Sequence, residues 1–232
     1  MIRLIEDRQS RVDELPGFRT LPPAERALVK GAAREVALPK GALVFSQGQP
    51  SAYVWAVREG LVHIVKSGPG GREIVLEVIP PGEFFGAVVA LEGRPYPASA
   101  LAIEASTVWR VPSQLVREIC QRHPTLRSAI LALVTPRLRS AHERLQSVAL
   151  EPVEQRLARM LLALAPKIGR AENGVTVLPI TRQELADMVG TTVETAIRIT
   201  SKWHKSGFVR SQRHALALAD LAALRVLAAG ED

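Results

Sequence analysis

Glu194 and Arg198 stand four residues apart in Val193-Glu-Thr-Ala-Ile-Arg198, so on a helix they project from one face, a single turn apart. Arg198 can donate two hydrogen bonds to O6 and N7 of a guanine, and Glu194 can accept one from N4 of a cytosine. They can also pair with each other as an ordinary surface ion pair, a contribution of roughly a few tenths of a kcal/mol. The flanking residues decide between these readings. Thr181 followed by Glu184 is a capping box opening a short helix, with Leu185, Met188 and Val189 on its apolar face. Ala186 is small where two helices must approach closely. Gly190 supplies a left-handed turn residue, and Thr192 caps a second helix running to about Lys205. Two short helices joined in this way form a helix-turn-helix, whose second member enters the major groove of double-stranded DNA.

Val193, Glu194, Ile197 and Arg198 occupy the first turn and a half of that second helix, the part that reaches base edges. Thr181, Gln183, Thr192, Thr195, Ser201 and Lys202 surround them as candidate phosphate contacts, which position a protein without specifying sequence. Ser206-Gly207-Phe208 ends the helix with a glycine signal. Phe208-Val-Arg-Ser and His214-Ala-Leu-Ala-Leu read as the two strands of a wing, with Arg210 and Arg213 near its tip.

Elements of two kinds must carry this motif. From Pro39 to Val111 short strands alternate with glycine turns: 42–45, 53–57, 61–65, 74–79 and 106–111, with turns at 40–41, 47–48, 59–60, Gly68-Pro-Gly-Gly71 and 81–82. Strands at this spacing predict a sandwich or barrel, preceded by a helix over Pro23 to Arg34. From Pro112 the period becomes helical, first in a short helix with Ser113 as its N-cap. A longer one follows from His123-Pro124 to Leu150. Leu126, Ile130, Leu133, Val134, Leu138, Ala141, Leu145 and Val148 fall near heptad positions on it, the pattern of a coiled coil joining two chains. As one helix it would span about 40 Å, with a kink at Pro136. Val153 to Ala165 is amphipathic, and 166–179 reads as a loop with a hairpin around Glu172-Asn173-Gly174. The fold class is α+β. Residues 1–122 are expected to form the barrel domain, 123–150 the dimerisation helix and 151–232 the winged helix-turn-helix domain.

Of 232 residues, 47% are hydrophobic and the net charge is +7, which favours a polyanionic partner. The excess concentrates in 112–150, where six arginines face two glutamates. No apolar run suits a membrane span or an export signal, so a cytoplasmic protein is expected. The single cysteine, Cys120, excludes an internal disulfide and any multi-cysteine metal site within one chain, and reads as a buried helix residue. No nucleophile–base pair or metal-ligand spacing appears, so no enzymatic activity and no metal site are expected.

Together these segments resemble the cyclic-AMP receptor protein / fumarate-nitrate-reductase regulator (CRP/FNR) family of transcription factors over nearly the whole chain. The most specific matches are Ile180-Thr-Arg-Gln-Glu-Leu-Ala, Val193-Glu-Thr-Ala-Ile-Arg198, and glycines 41, 48, 60 and 82. The resemblance implies a double-stranded β-helix (jelly-roll) sensor, a dimerising helix and a winged DNA-binding domain. It implies a homodimer on a palindromic operator, with Glu194 and Arg198 reading each half-site and Thr181, Gln183, Thr192 and Thr195 on phosphates. RNA polymerase is the partner that the family usually touches.

The sensor departs from the cyclic-nucleotide pattern. Gly86 is followed by Ala87-Val88-Val89 where relatives carry glutamate and leucine, and Tyr96-Pro97 stands at the arginine–serine position, with Arg94 out of register. On the long helix, Ala141 and His142 replace the threonine and serine that face adenine. Gly86, Ala87, Val88, Arg94, Tyr96, Ala141 and His142 are therefore expected to line an effector pocket that does not take cAMP. Tyr96 to Ser106 resembles the oxygen-responsive branch, whose N-terminal cysteine cluster is absent. No cofactor is expected. Haem, on His63 or His142, marks one alternative, a gas sensor of the same family. An effector-binding module acting on a protein partner is another. In the leading mechanism an effector, or dimer assembly alone, sets the roll of the two long helices and places the recognition helices about 34 Å apart.

Overall fold

The computed structural model describes residues 12–68 and 73–230, and its packing divides the chain into two compact units, Arg8–Leu138 and a second beginning at Arg139. The expected turn at Gly68-Pro-Gly-Gly71 lies mostly outside the described residues.

In the first unit, helix α1 (Pro23–Ala32) precedes strands β1 (Arg34–Leu38), β2 (Leu43–Phe45), β3 (Tyr53–Glu59), β4 (Val62–Ser67), β5 (Glu73–Ile79) and β6 (Phe84–Phe85). Helix α2 (Ala87–Glu92), strands β7 (Ser99–Ala102) and β8 (Ser106–Pro112), and helices α3 (Ser113–Arg122) and α4 (Pro124–Ala132) complete it. The strands form two antiparallel sheets, ordered β1-β8-β3-β6 and β2-β7-β4-β5. This is the expected jelly-roll architecture, with β1, β6 and β7 added to the strands read from the sequence.

β3 explains why its run Tyr53-Val-Trp-Ala-Val57 is apolar without alternation: both its faces are covered. Val54 and Ala56 join Trp109 and Val111 of β8 beneath the helices, where Val116, Ile119, Cys120, Leu126 and Ile130 are also buried. Trp55 and Val57 point the other way, into a core shared with Phe45, Val62, Ile79, Phe85 and Tyr96.

Two local expectations are corrected here. Ser113 is the first residue of α3 and not its N-cap, because its buried hydroxyl donates to the Ser51 carbonyl at 2.6 Å. The expected 123–150 helix is two helices: α4 ends at Ala132, Leu133 caps it, and α5 runs Val134–Leu150. The break falls four residues before Pro136, where a proline ring clashes with the helical carbonyl and removes its hydrogen bond. Pro136 itself sits in the first turn of α5, where no N–H is required. α5 alone therefore spans about 25 Å. α4 belongs to the first unit's core, and Arg137 ties the start of α5 to the same unit. Its Nε meets Glu77 at 2.6 Å and its guanidinium donates to the Phe84 carbonyl at 2.9 Å.

The second unit contains the rest of α5, then α6 (Val153–Ile168), the hairpin β9 (Arg170–Glu172) and β10 (Val175–Leu178), and helices α7 (Arg182–Val189) and α8 (Val193–Lys205). Strands β11 (Val209–Gln212) and β12 (Ala215–Leu218) and helix α9 (Leu221–Ala229) close it, with sheet order β11-β12-β10-β9. Asn173 and Gly174 take left-handed angles in the β9–β10 turn, as that sequence predicts. Leu157, Leu161, Leu178, Leu185, Trp203 and Leu216 are fully buried in this unit.

Candidate nucleic-acid interface

The turn between α7 and α8 is built from local chemistry. The Thr181 hydroxyl accepts from the Glu184 N–H at 3.2 Å, and the Glu184 carboxylate accepts from the Thr181 N–H at 2.7 Å and from its hydroxyl at 2.8 Å. At the far end Gly190 adopts φ 69°, a left-handed angle that disfavours a side chain. The Arg156 guanidinium holds the end of α7 by donating to the Val189 carbonyl at 2.8 Å. Thr192 then caps α8, accepting from the Thr195 N–H at 3.3 Å.

α8 divides cleanly into two faces. Ala196, Ile199, Thr200 and Trp203 are buried, and the one polar group among them is satisfied, the Thr200 hydroxyl donating to the Ala196 carbonyl at 2.8 Å. Glu194, Ile197, Arg198, Ser201, Lys202 and Lys205 face solvent, and Val193 is half-buried. Among the described residues neither Glu194 nor Arg198 has a hydrogen-bond or ion-pair partner, so the pairing that their spacing allows does not form. Exposed pairs of this kind contribute too little to hold two long side chains together. Both heads are free to meet a ligand.

The candidate phosphate contacts fall into distinct groups. Thr181 is occupied by its capping box, and Gln183 donates to Asp187 at 3.0 Å while remaining exposed. The Thr192 and Thr195 hydroxyls lie 3.2 Å apart at the start of α8, and Ser201 is exposed. Lys202 is already paired: its Nζ lies 3.2 Å and 3.4 Å from the two carboxylate oxygens of Glu154 on α6. In the wing, Arg213 and His214 form the turn, with His214 at φ 59°. Arg210 is set back from that turn, opposite Ala217. Sequence reading missed Glu154, Arg156 and Arg182, whose guanidinium hydrogen-bonds to Ser211 and so joins α7 to the wing. Each acts across 29 or more residues, and no local pattern announces such a contact.

Within the first unit, the expected effector residues Gly86, Ala87, Val88, Arg94 and Tyr96 do not face one site. Gly86, at φ 68°, caps α2, and a Cβ there would come within 2.9 Å of the Tyr96 ring. That ring fills the barrel interior, stacked on Phe45 with centroids 3.7 Å apart. Its hydroxyl donates to the Tyr53 carbonyl at 2.5 Å and accepts from Trp55 Nε1 at 3.0 Å. Burial raises the phenol's pKa above its ordinary value, and the Trp55 hydrogen bond opposes this only in part. Ala87 and Val88 turn to the other core, beneath the helices. Arg94 turns outward, its side chain 78% exposed and 3.8 Å from Glu92. Ala141 and His142 are exposed on α5 in the second unit, and His63 is buried on β4 in the first. Cys120 is buried, and burial raises its pKa. No helix among the described residues is long and apolar enough to cross a membrane.

Comparison with known proteins agrees with this division. The profile of the cyclic nucleotide-binding domain matches residues 35–123, and that of the Crp-like helix-turn-helix domain matches residues 155–227. The CRP-like cAMP-activated global transcriptional regulator of Mycobacterium tuberculosis is 25% identical over 205 residues, covering 88% of this chain and 92% of the relative. The cyclic AMP receptor protein of Thermus thermophilus is 29% identical over 215 residues, covering 93% and 97%. Among solved structures, FixK2 from Bradyrhizobium japonicum superposes with a TM-score of 0.76 over 84% of this chain and 96% of FixK2, at 24% identity, which speaks for the fold.

Proposed function

The chain belongs to the CRP/FNR family of transcription regulators, and on that premise we propose that it binds a palindromic operator as a homodimer, each α8 reading one half-site. The family supplies the helix-turn-helix regulator. The base-reading assignment rests on one observation: Glu194 and Arg198 face solvent without partners at the start of a helix whose opposite face is buried. Val193 and Ile197 flank them for apolar contact with thymine methyls. The exposed apolar line along α5 supports the dimer, and RNA polymerase is the partner through which such a cytoplasmic regulator acts. Replacing Arg198 by alanine is expected to weaken operator binding by about 1–3 kcal/mol and to relax preference at one base pair per half-site. Binding-site selection on randomised duplexes measures both. An R198A protein that keeps wild-type affinity and selectivity overturns the assignment.

The effector, on this proposal, is not cAMP. A cyclic phosphate needs a fixed cation and aligned donors, yet Arg94 points to solvent and Tyr96 already fills the interior beside Gly86. Titration with cAMP to millimolar concentration is expected to give no binding heat and no change in operator affinity. A saturable change in either refutes this part of the proposal while leaving the DNA reading intact.

A further inference from the structure

We propose that Glu154 is a positioning residue that withholds Lys202 from the DNA backbone and so limits the protein's affinity for any duplex. This rests on the reading of α8 as the recognition helix. Lys202 lies one turn beyond Arg198, on the same exposed face, where a cation is placed to reach phosphate. Its side chain is 69% exposed, but its ammonium is held between both oxygens of one carboxylate, at 3.2 Å and 3.4 Å.

That carboxylate is not a mobile surface group. Glu154 Oε1 accepts from the indole N–H of Trp203 at 2.9 Å, and Trp203 is fully buried. The carboxylate is thereby fixed on α6, 31% exposed, offering Lys202 what a phosphate would offer: two acceptor oxygens and a negative charge. Lys205, farther along α8, has no partner among the described residues, so the masking is particular to Lys202. Backbone binding gains affinity with each counterion that a cation displaces. Masking one cation lowers affinity for every sequence and leaves base reading to Glu194 and Arg198.

The test uses full-length protein on an operator duplex and on a random duplex, over a range of salt. Glu154→Gln keeps a carbonyl acceptor for the Trp203 indole but removes the charge that holds Lys202. With one Lys202 freed in each protomer of the dimer, it is expected to steepen the slope of log K against log salt by about 1.8 and to tighten binding about 10- to 60-fold at 0.1 M salt, on both duplexes. Lys202→Met alone is expected to leave the slope within about 0.5 and the affinity within about twofold of wild type, and in the E154Q background to abolish the gain. No gain in E154Q, or a gain that persists in the double variant, overturns the proposal, the latter by showing general repulsion of DNA. Should E154Q not fold, K202M decides alone: loss of about two units of slope, one for each protomer, means that Lys202 already reaches phosphate. An R198A protein with altered selectivity beside an inert E154Q separates this failure from failure of the recognition-helix reading.

Discussion

Replacing Leu138 and Leu145 together by glutamate is expected to split the proposed operator-binding dimer into folded monomers and to lower operator affinity by about 10²–10⁴-fold. On α5 Leu138, Leu145 and Val148 are 55%, 71% and 55% exposed, spaced with Ala141 at intervals of three and four along one helix face. Large apolar side chains left this exposed lose little by leaving water for a partner helix, and each buried leucine would contribute about 1.5–3 kcal/mol to a seam. A dimer gains affinity because the second half-site is met at high effective concentration, without any further contact. A monomer loses that gain while each α8 keeps its base contacts. Both leucines are more than half exposed, so glutamate at either position costs the protomer less than it costs a seam. Sedimentation gives the mass, circular dichroism the retained helix, and a gel shift the affinity. A variant that stays dimeric and binds as tightly as the wild type places the dimer seam elsewhere.

How much of this was legible beforehand follows from the range of each interaction. The helix-turn-helix could be read residue by residue because its signals are local. The Thr181–Glu184 box, the left-handed Gly190 and the Thr192 cap each act within four residues, and all form as expected. The barrel could be read only in its well-patterned strands. β1 carries Arg34 and Glu35 at its exposed start, β6 is two residues long, and Ser99-Ala-Leu-Ala102 lacks the β-branched and aromatic side chains that mark a strand. These three exist because strands far away in the chain pair with them, β8 with β1, β2 and β4 with β7, and Trp55 and Ala56 of β3 with β6. The break between α4 and α5 was foreseeable in kind but misplaced, since a proline disrupts the carbonyl four residues before it and not its own position.

The same distinction explains which contacts of the candidate residues are invisible in the sequence. The place of Lys202 on a helix face follows from the sequence, but its partner Glu154 is 48 residues away on another helix. Arg94 is one of the expected effector residues, yet in the turn after α2 its side chain is 78% exposed. Proximity along the chain predicted neighbours only where the backbone between them was regular.

Tyr96 is the residue at which the two kinds of information conflict most, and its removal is expected to have the largest effect on stability. Tyr96→Ala should destabilise the first unit by about 3–5 kcal/mol, as the loss of a buried aromatic ring does. The ring is 2% exposed and touches strands from both sheets, stacking on Phe45 and accepting from Trp55. Tyr96→Phe separates the two contributions. It keeps the stack but leaves the Trp55 N–H without its acceptor inside the barrel, a loss of about 1–3 kcal/mol. Hydrogen exchange followed over β3 and β7 reads the first unit alone, so unfolding of the second does not confuse the result. Both variants should exchange faster there, alanine more than phenylalanine, with α7 and α8 unchanged. Wild-type protection in Tyr96→Ala would mean that the ring is dispensable to the barrel. A position between the sheets that tolerates truncation is one that a ligand can occupy in its place, and the argument that the interior is closed to an effector would then fail with it.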